Sequence, residues 1–407
     1  MMHSFSQSLS KTLEADVVVV GSGLVGLSAA IAFAKLDKRV VLVDAKKPII
    51  KLKKAWDERV YALTPATETW LKSIGVWACI DASRVNPINA MHLFDDASEQ
   101  PLVLRDEDAN LPKLGIIIEN QNLMYALWQQ LKALDANNAA VTVITDTPCQ
   151  LLDSTQQQIV LSLASGQQIV AKLLVAADGV DSWVRKQVNI SVTKKDFKQT
   201  AIVANFLAEK SHQNIARQWF SPHNVLALLP LRDSIKAKMV SIVWSVSTDR
   251  AAELLALSGE ELAHNVHEHT HGILGELTHV GNAQSFVLHQ QTALQLIAER
   301  VALIGDAAHQ IHPMAGQGVN LGFRDVMQLA LLATKLHSMH DIGDSSFLRQ
   351  YERVRKADIV TMNTLTSSLD WLFASESSMV RKMMLWGFGS MKKQTSVKKL
   401  LIQQVAA

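Results

Sequence analysis

The hydrophobic positions near the start of the chain change their period twice within about thirty residues. Residues 16–20 contain a β-branched run that is typical of a parallel strand buried on both faces. Residues 27–36 have the Ala- and Leu-rich pattern of a helix, and residues 39–44 predict a second buried strand that ends in an acid. Strand, helix and strand in this order predict a βαβ unit and indicate an α/β fold.

Further elements follow along the chain. Helices are predicted at residues 66–74 and 122–134, and another buried strand at residues 170–176. Residues 141–145 and 157–163 resemble strands of a small meander.

The pattern changes near residue 200. Residues 201–207, 225–231 and 239–246 are apolar segments joined by polar turns, which predicts an antiparallel sheet in an inserted lobe. Helical patterns return at residues 323–332 and from residue 347 onward. The predicted architecture is therefore α/β and Rossmann-like, with an inserted antiparallel sheet and a C-terminal helical region.

Composition narrows the classes of protein that the chain can represent. Its 407 residues exceed what one hydrophobic core usually supports. A net charge of +2 and the lack of a base-reading motif give no support for a nucleic-acid partner. Cys79 and Cys149 are far apart without a CxxC pair, which fits a reducing compartment. No apolar run approaches the roughly 18 residues of a membrane span, and no signal peptide is evident, so we expect a cytoplasmic protein.

A glycine motif, Gly21-Ser-Gly23-Leu-Val-Gly26, joins the first strand to the first helix. In a dinucleotide site the first glycine allows a tight turn, the second lets backbone approach a pyrophosphate, and the third lets helix and strand pack closely. Asp44 lies about twenty residues further on, where an acid accepts ribose hydroxyls. The glycines alone are a weak signal, but with both strands, the helix and the acid they favour a dinucleotide site over an ordinary glycine turn.

A second motif follows the strand at residues 170–176. Asp178-Gly179 comes directly after it, with Ser182 and Arg185 close behind. The alternative to a cofactor role is a helix cap by Asp181 or Ser182.

A third motif begins at Gly305-Asp306, which ends another apolar run. A glycine-rich loop then leads through Pro313 towards the helix at residues 323–332. Backbone N–H groups and the helix dipole offer fixed positive potential to a phosphate-bearing cofactor there. Alone, this segment could be a tight structural turn.

Together the three motifs resemble those of class A flavoprotein monooxygenases, which are aromatic hydroxylases built around one dinucleotide-binding domain. Four stretches are similar, more closely, to the ubiquinone-biosynthesis hydroxylases: residues 57–64, 115–120, 305–309 and 315–322. The resemblance spans nearly the whole chain. One departure is Asp44, where many relatives carry Glu, although the shorter acid can also reach a ribose.

The resemblance implies FAD as the cofactor. Asp44 would hold its adenosine ribose, and Asp306 would bind ribityl or pyrophosphate oxygens. Arg59 and Asn120 would face the cofactor, and Pro313 would border the flavin face that meets the substrate. The complete set of implied cofactor-binding residues is Gly21, Gly23, Gly26, Asp44, Arg59, Asn120, Asp178, Gly305, Asp306, Pro313, Gly316, Gln317, Gly318, Val319 and Asn320.

The resemblance also implies the reaction. NAD(P)H would reduce the flavin, with Asp178 assigned to the reductant, and O2 would form a flavin C4a-hydroperoxide. The product would be a ring-hydroxylated polyprenylated phenol or quinol of ubiquinone synthesis, with the protein orienting the ring and excluding water. His309 and His312 are candidate bases, although a loop histidine is more often structural. The alternatives are a hydroxylase of a small soluble aromatic acid and a prenyl reductase.

One motif points to a different class of enzyme. His267-Glu268-His269-Thr270-His271 fits HExxH, the zinc-protease pattern, in which both outer histidines share one helix face. A zinc hydrolase using His267, Glu268 and His271 is therefore a competing hypothesis. No obvious third ligand follows and the flavin motifs would lack an explanation, so we expect a solvated helix face and no bound metal.

The C-terminal region carries a second type of signal. Residues 379–388 mix Met, Leu, Trp and Phe with basic residues, and more lysines follow. This pattern indicates peripheral contact with anionic lipid on the inner face of a membrane, or else helices packed on the cofactor lobe. The resemblance makes complexes with other quinone-biosynthesis proteins a further expectation.

The changes of pattern also predict the domains. We expect a discontinuous FAD-binding domain, a substrate domain and a C-terminal helical region. Their residues are, respectively, 1–75, 105–180 and 285–345; 76–104 and 181–284; and 346–407.

Overall fold

The computed structural model describes residues 12–95, 101–138, 141–233, 238–311, 317–336, 341–374 and 399. Its strands are β1 (Leu13–Val20), β2 (Val40–Val43), β3 (Val60–Leu63), β4 (Val85–Ile88), β5 (Ala90–Asp95), β6 (Leu102–Arg105), β7 (Gly115–Glu119), β8 (Val141–Ile144), β9 (Cys149–Ser154), β10 (Ile159–Leu163), β11 (Gln168–Ala176), β12 (Val192–Ala208), β13 (Ile215–Ser221), β14 (Asn224–Pro230), β15 (Met239–Ser247), β16 (Leu277–Ala293), β17 (Ile297–Ala298), β18 (Val301–Leu303) and β19 (His309–Gln310). Its helices are α1 (Leu24–Ala34), α2 (Pro65–Ser73), α3 (Asn120–Asn138), α4 (Trp183–Gln187), α5 (Thr248–Ala256), α6 (Gly259–His269), α7 (Gly318–Thr334) and α8 (Ser345–Ala374).

The first sheet has the strand order β17-β18-β11-β1-β2-β8, with β10 and β9 attached beside β11. Strands β18, β11, β1, β2 and β8 are parallel to their neighbours in that series. Val17, Val18 and Val19 of β1 have no exposed surface because the strand lies in the interior of the sheet. The βαβ unit and the α/β class that the sequence predicts are confirmed.

One predicted pairing is wrong. The meander expected for residues 141–145 does not form, because β8 pairs in parallel with β2 from Val40–Val141 to Val43–Ile144. α3 leads directly into β8, and a helix of this kind supplies the crossover that parallel pairing needs. The other predicted strand, β10, does pair antiparallel with β9 and β11.

The second sheet has the order β19-β16-β12-β15-β14-β13-β5-β6 and is antiparallel except between β13 and β5. α5 and α6 pack on it through a core that includes Phe206 and Leu254. A small third sheet, β3-β7-β4, contributes Ile88 and Ile117 to a cluster shared with Met239 of the second sheet. The inserted antiparallel sheet is thus confirmed.

β16 runs through the domain edge predicted between residues 284 and 285. It pairs with β12 along most of its length and with β19 near its end, where Thr292 lies opposite His309. The second sheet therefore extends to the segment that follows Gly305-Asp306, and the domain division stays a prediction.

The largest core lies between the first sheet and helices α1, α3, α7 and α8. α1 is buried on nearly all sides, since all of its residues except Val25 are buried. Across the ranges given above, no helix combines the length and the apolar content that crossing a membrane requires.

Candidate active site

The glycine turn after β1 packs tightly against other backbone at Gly21 and Gly26, whereas the space beside Gly23 is open. Gly21 has a φ of 106°, in the left-handed region that favours glycine. A Cβ on Gly21 would collide with the Ala177 carbonyl oxygen, and a Cβ on Gly26 would collide with the Gly21 carbonyl oxygen. A Cβ on Gly23 would meet no atom within 4 Å among the residues that the structure describes. Backbone at Gly23 therefore borders open space, as the approach of a pyrophosphate requires.

The start of α1 is open in the same way. Gly23 occupies its N-cap position, no side chain caps the helix, and its first turn contains no acid. Unpaired N–H groups and the positive end of the helix dipole attract anions. This helix start is therefore suited to a phosphate group.

Asp44 lies against the glycine turn. Its Oδ2 accepts hydrogen bonds from the Ser22 N–H at 2.6 Å and the Ser22 hydroxyl at 2.5 Å. Its Oδ1 accepts from the Lys46 N–H at 2.8 Å. These bonds fix the carboxylate beside the start of α1, where it can also accept from a ribose hydroxyl.

Asp178 has one satisfied carboxylate oxygen and one unsatisfied. Oδ2 accepts from the Val184 N–H at 3.0 Å, whereas Oδ1 is buried with no hydrogen-bond partner among the described residues. Ser182 caps α4 by accepting from the Arg185 N–H at 3.0 Å, so the capping alternative is correct for Ser182. A buried unpaired oxygen is unfavourable in a native protein, and a polar ligand group would satisfy it.

Arg185 joins the second motif to the third. Its guanidinium donates to the carbonyl oxygens of Ala307 and Val180, at 2.8 Å each, and the residue is 4% exposed. Gln291 of β16 donates to the same Val180 oxygen at 2.9 Å. Three distant segments thus meet at one buried cluster of hydrogen bonds.

The Gly305-Asp306 turn packs on α1 and α7 through glycines. Gly305 has a φ of 56°, and a Cβ there would lie 3.3 Å from the Val25 side chain. A Cβ on Gly322 of α7 would lie 2.7 Å from the same valine and 3.3 Å from the Gly305 Cα. Since Asp44 contacts Ser22 and Gly305 lies near Val25, both Asp44 and the Gly305-Asp306 turn lie beside the start of α1.

Asp306 is open to solvent on one side and enclosed by protein on the others. Desolvation by this surrounding protein raises the pKa of its carboxyl group, and nearby His309, Arg59 and His289 oppose the rise. Arg59 and His289 therefore each lie near enough to Asp306 for their charges to act on its carboxyl group. The sequence had given no reason to single out His289.

Arg59 and Asn120 lie beside Tyr61. The Arg59 guanidinium is 5.4 Å from the Tyr61 ring centroid, and the Asn120 N–H donates to the Arg59 carbonyl oxygen at 2.9 Å. The Asn120 amide itself contacts Asp57 Oδ2 at 3.4 Å. Burial raises the pKa of Tyr61 to about 12; the Arg59 charge opposes that rise, and Asp306 and Asp57 add to it. Arg59 is exposed and near Asp306, whereas the Asn120 side chain is directed at protein.

A buried ion pair holds this segment in place. Glu119 is 0% exposed and accepts from Arg84 at 2.5 and 2.6 Å and from the Asp57 N–H at 2.6 Å. Sequence reasoning missed both members of the pair. The available signal was an acid that ends an otherwise apolar strand.

The start of α7 is also open. A Cβ on Gly318 would meet no atom of the described residues within 4 Å, and none of their side chains caps the helix. Gln317 and Val319 lie on either side of Gly318 at this end. His312, Pro313 and Gly316 lie outside the described residues.

Asn320 uses its side chain within the protein. It is fully buried, and its Oδ1 accepts from the Thr64 N–H at 3.1 Å and the Thr67 hydroxyl at 2.9 Å. Its Nδ2 donates to the Ala62 carbonyl oxygen at 2.8 Å. The side chain therefore fixes α7 against the segment after β3, which leaves a backbone role towards a cofactor.

His309 is enclosed. It is 2% exposed, and its Nε2 lies 2.7 Å from Asp325 Oδ2. A buried and already bonded imidazole fits the structural alternative better than a base that reaches a substrate.

The HExxH segment does not have the geometry of a zinc site. α6 ends at His269, Thr270 is its C-cap, and His271 has a φ of 51°. His271 is thus outside the helix, so it does not share a helix face with His267, whose Nδ1 lies 3.0 Å from the Gly275 carbonyl oxygen. The zinc hypothesis requires His267 and His271 on one helix face, and this requirement is not met because α6 ends before His271.

The described residues fit a dinucleotide cofactor. Two uncapped helix starts, α1 and α7, offer N–H groups beside open glycine backbone. Asp44 and the Gly305-Asp306 turn lie beside the first of these, and Asp178 Oδ1 has no partner within the described part of the chain. Phosphates suit the helix starts, and ribose or ribityl hydroxyls suit the carboxylates.

Comparisons with known proteins agree with this fit. Residues 14–364 match the family described as FAD binding domain. Human "Ubiquinone biosynthesis monooxygenase COQ6, mitochondrial" is 34% identical over 91% of this chain and 88% of its own length. "Ubiquinone hydroxylase UbiL" of Rhodospirillum rubrum is 32% identical over 96% and 89%, and "3-demethoxyubiquinol 3-hydroxylase" of Escherichia coli is 31% identical over 89% and 90%.

Solved structures share the fold. p-Nitrophenol 4-monooxygenase PnpA of Pseudomonas putida superposes with a TM-score of 0.77 at 18% identity, over 98% of this chain and 99% of that one. Klebsiella pneumoniae HpxO, solved with FAD and uric acid, gives a TM-score of 0.71 at 14% identity, over 97% of this chain and 96% of that one.

Proposed function

The chain belongs to the ubiquinone-biosynthesis hydroxylase family of FAD-dependent monooxygenases, and we propose that its substrate is a polyprenylated phenol or quinol whose ring it hydroxylates. The observation that carries this proposal is the meeting of three motifs at one place, joined by the Arg185–Ala307 hydrogen bond, in a chain similar to ubiquinone hydroxylases along most of its length.

The geometry of the described residues supports most of the proposed cofactor contacts. Backbone at Gly23 and the start of α1 would take the pyrophosphate, with Gly21 and Gly26 permitting the turn. Asp44 would take the adenosine ribose, and Asp306 would take ribityl or pyrophosphate oxygens. The start of α7, from Gly318 to Asn320, would contribute N–H groups, as would Gly316. Gln317 and Pro313 complete the proposed set on that side.

FAD, once reduced by NAD(P)H, supplies the activation of O2 and the transfer of one oxygen atom to the ring. The chain supplies binding, orientation and the exclusion of water. Asp178 is proposed for the reductant because its Oδ1 has no partner among the residues described. Arg59 is proposed for the cofactor because it is exposed and its charge acts on Asp306. Asn120 would act through its link to the Arg59 carbonyl.

Location and partners belong to the same proposal. A polyprenyl chain partitions into lipid, so an enzyme that acts on its ring gains from peripheral attachment to the inner face of a membrane. We propose that residues 379–402, which lie outside the described residues except for Lys399, provide this contact in a cytoplasmic protein. We also propose complexes with other quinone-biosynthesis proteins. The domain ranges given in the sequence analysis are likewise a proposal.

The test uses purified protein with FAD, NAD(P)H and O2. A short-chain polyprenyl phenol should stimulate NAD(P)H oxidation and gain one ring oxygen by mass spectrometry. A soluble hydroxybenzoate serves as the competing substrate, and exclusive turnover of that acid would reject the proposed substrate. Deleting the gene should make a quinone precursor accumulate, and the missing hydroxyl on that precursor names the ring position.

A further inference from the structure

A buried carboxylate outside all three motifs joins the Gly305-Asp306 turn to α8. Asp325 on α7 is 0% exposed. Its Oδ2 accepts from the Gly305 N–H at 2.8 Å and lies 2.7 Å from His309 Nε2. Its Oδ1 accepts from Arg355 Nε at 2.6 Å. Burial alone would raise the pKa of this carboxyl group, but His309, Arg355 and the Gly305 N–H together hold it below its ordinary value.

Arg355 connects this carboxylate to the C-terminal helix. It is 4% exposed, pairs with Asp358 at 2.5 Å, and donates to the Leu321 carbonyl oxygen at 3.3 Å. One turn earlier on α8, the Tyr351 hydroxyl donates to the Leu303 carbonyl oxygen at 2.8 Å. α8 therefore contacts both β18 and the helix that carries Asp325.

The two partners of Asp325 Oδ2 lie on either side of Asp306 in the sequence. Gly305 comes one residue before Asp306, and His309 comes three residues after it. One carboxylate oxygen therefore holds the turn on both sides of Asp306. An ion pair that only anchored α8 to α7 would not need either contact.

We propose that Asp325 is a positioning residue for the cofactor. Together with Arg355 it fixes the Gly305-Asp306 turn so that the Asp306 carboxylate points towards the proposed FAD site. The proposal rests on the FAD site described above. It assigns to α8 a part in cofactor binding, through Arg355.

Asp325→Asn tests the proposal with little change of shape. A carboxylate serves all three donors, whereas an amide has one acceptor oxygen and turns an NH2 group towards a donor. We expect the affinity for FAD to fall about tenfold or more, since charge-assisted hydrogen bonds are lost. The visible absorption bands of the bound flavin should also shift, because a displaced Asp306 would move the ribityl chain and with it the isoalloxazine ring that absorbs.

Asp341→Asn is the control, with the same change of chemistry at a more exposed carboxylate. Asp341 accepts from a buried arginine, Arg300, at 2.6 Å and from the Gly343 N–H at 2.9 Å. Arg300 precedes β18, at the end of the strand opposite to Gly305. Asp341→Asn should lower the melting temperature of the apoprotein while leaving FAD affinity and the flavin spectrum unchanged.

The measurements are fluorescence titration of apoprotein with FAD, the absorption spectrum of the bound flavin, and thermal unfolding. Unchanged affinity and spectrum in folded Asp325→Asn would overturn the proposal, as would an equal loss of affinity in Asp341→Asn. If Asp325→Asn does not fold, the double variant Asp325→Asn/Arg355→Met applies the same test without an unpaired buried charge. Failure of the unmodified protein to bind FAD would instead contradict the proposed function.

Discussion

The Arg185 guanidinium donates a 2.8 Å hydrogen bond to the carbonyl oxygen of Ala307, which lies 122 residues further along the chain. A second branch of the same guanidinium holds Val180, directly after Asp178-Gly179. The two downstream motifs are therefore joined by one side chain, and neither can shift without disturbing the other.

Arg185→Met should weaken FAD binding about tenfold, because both carbonyl groups lose a charged donor. Titration of the apoprotein with FAD measures the change. Arg300→Met is the control, since Arg300 is also buried and donates to the carbonyl oxygens of Gln156 and Lys172 away from the cleft. Equal effects of the two substitutions on FAD affinity would contradict the role assigned to Arg185.

Gly23→Ala should separate folding from cofactor binding. The added Cβ would meet no atom of the described residues within 4 Å, so the melting temperature of the apoprotein should hardly change. FAD affinity should fall, because the methyl group occupies the space proposed for the pyrophosphate. Gly26→Ala is the contrast, since its Cβ collides with the Gly21 carbonyl oxygen and should destabilise the fold itself. Normal FAD affinity in Gly23→Ala would remove that residue from the site.

Asp44→Ala should discriminate between two flavins. Because Asp44 is proposed to hold the adenosine ribose, the substitution should weaken FAD binding several-fold while the weaker binding of FMN, which lacks that ribose, stays the same. Competitive titration with both cofactors measures this. A parallel loss for both flavins would show that Asp44 acts on the fold or on the flavin half instead.

Asp306→Asn should increase the stability of the apoprotein at neutral pH and weaken FAD binding. The folded-state pKa of Asp306 lies above its ordinary value of 3.8, so the native state favours the protonated form. Asp306 therefore contributes its full stabilisation of the fold at pH values below its unfolded-state pKa. This contribution is lost as the pH rises through the higher folded-state pKa. The neutral amide avoids that loss, so the two melting curves should differ at pH 7 and converge near pH 3.5, about where the unfolded carboxyl group titrates. A lower melting temperature for the variant at pH 7 would contradict this sign.

Removal of metal should leave the activity intact. His271 does not share a helix face with His267, so the HExxH segment offers no paired ligands of the zinc-protease kind. Elemental analysis should find zinc well below one atom per chain, and incubation with a chelator should not change turnover. Stoichiometric zinc together with lost activity would restore the hydrolase hypothesis.

The parts of the site that the sequence predicted are those with short-range signals. Gly21, Gly26 and Asp44 lie within one βαβ unit, whose order and spacing constrain their positions. The class of fold followed from the same periodicities. The pairing of β8 with β2 could not be predicted in this way, because the sequence of a short apolar strand does not indicate which strand it pairs with.

The remaining residues depend on tertiary contacts. Asp325 and Arg355 look like ordinary charges in amphipathic helices, and only the packing of α8 on α7 shows that they are buried together. Likewise, the HExxH pattern places His267 and His271 on one face only if the helix continues through both residues. His271 has a left-handed backbone conformation, so the helix does not continue. His289 reaches the neighbourhood of Asp306 because β16 pairs with β19, the short strand that follows the Gly305-Asp306 turn.

The Val25 side chain fills the gap between Gly305 and Gly322, and a Cβ at either glycine would press on it. These three positions therefore share one fixed volume, although Val25 lies far from both glycines in the sequence. Relatives that carry alanine in place of either glycine should carry a smaller residue in place of Val25. The side-chain volumes at these three positions should then covary among relatives, so that a larger residue at one position is tolerated only with a smaller residue at another.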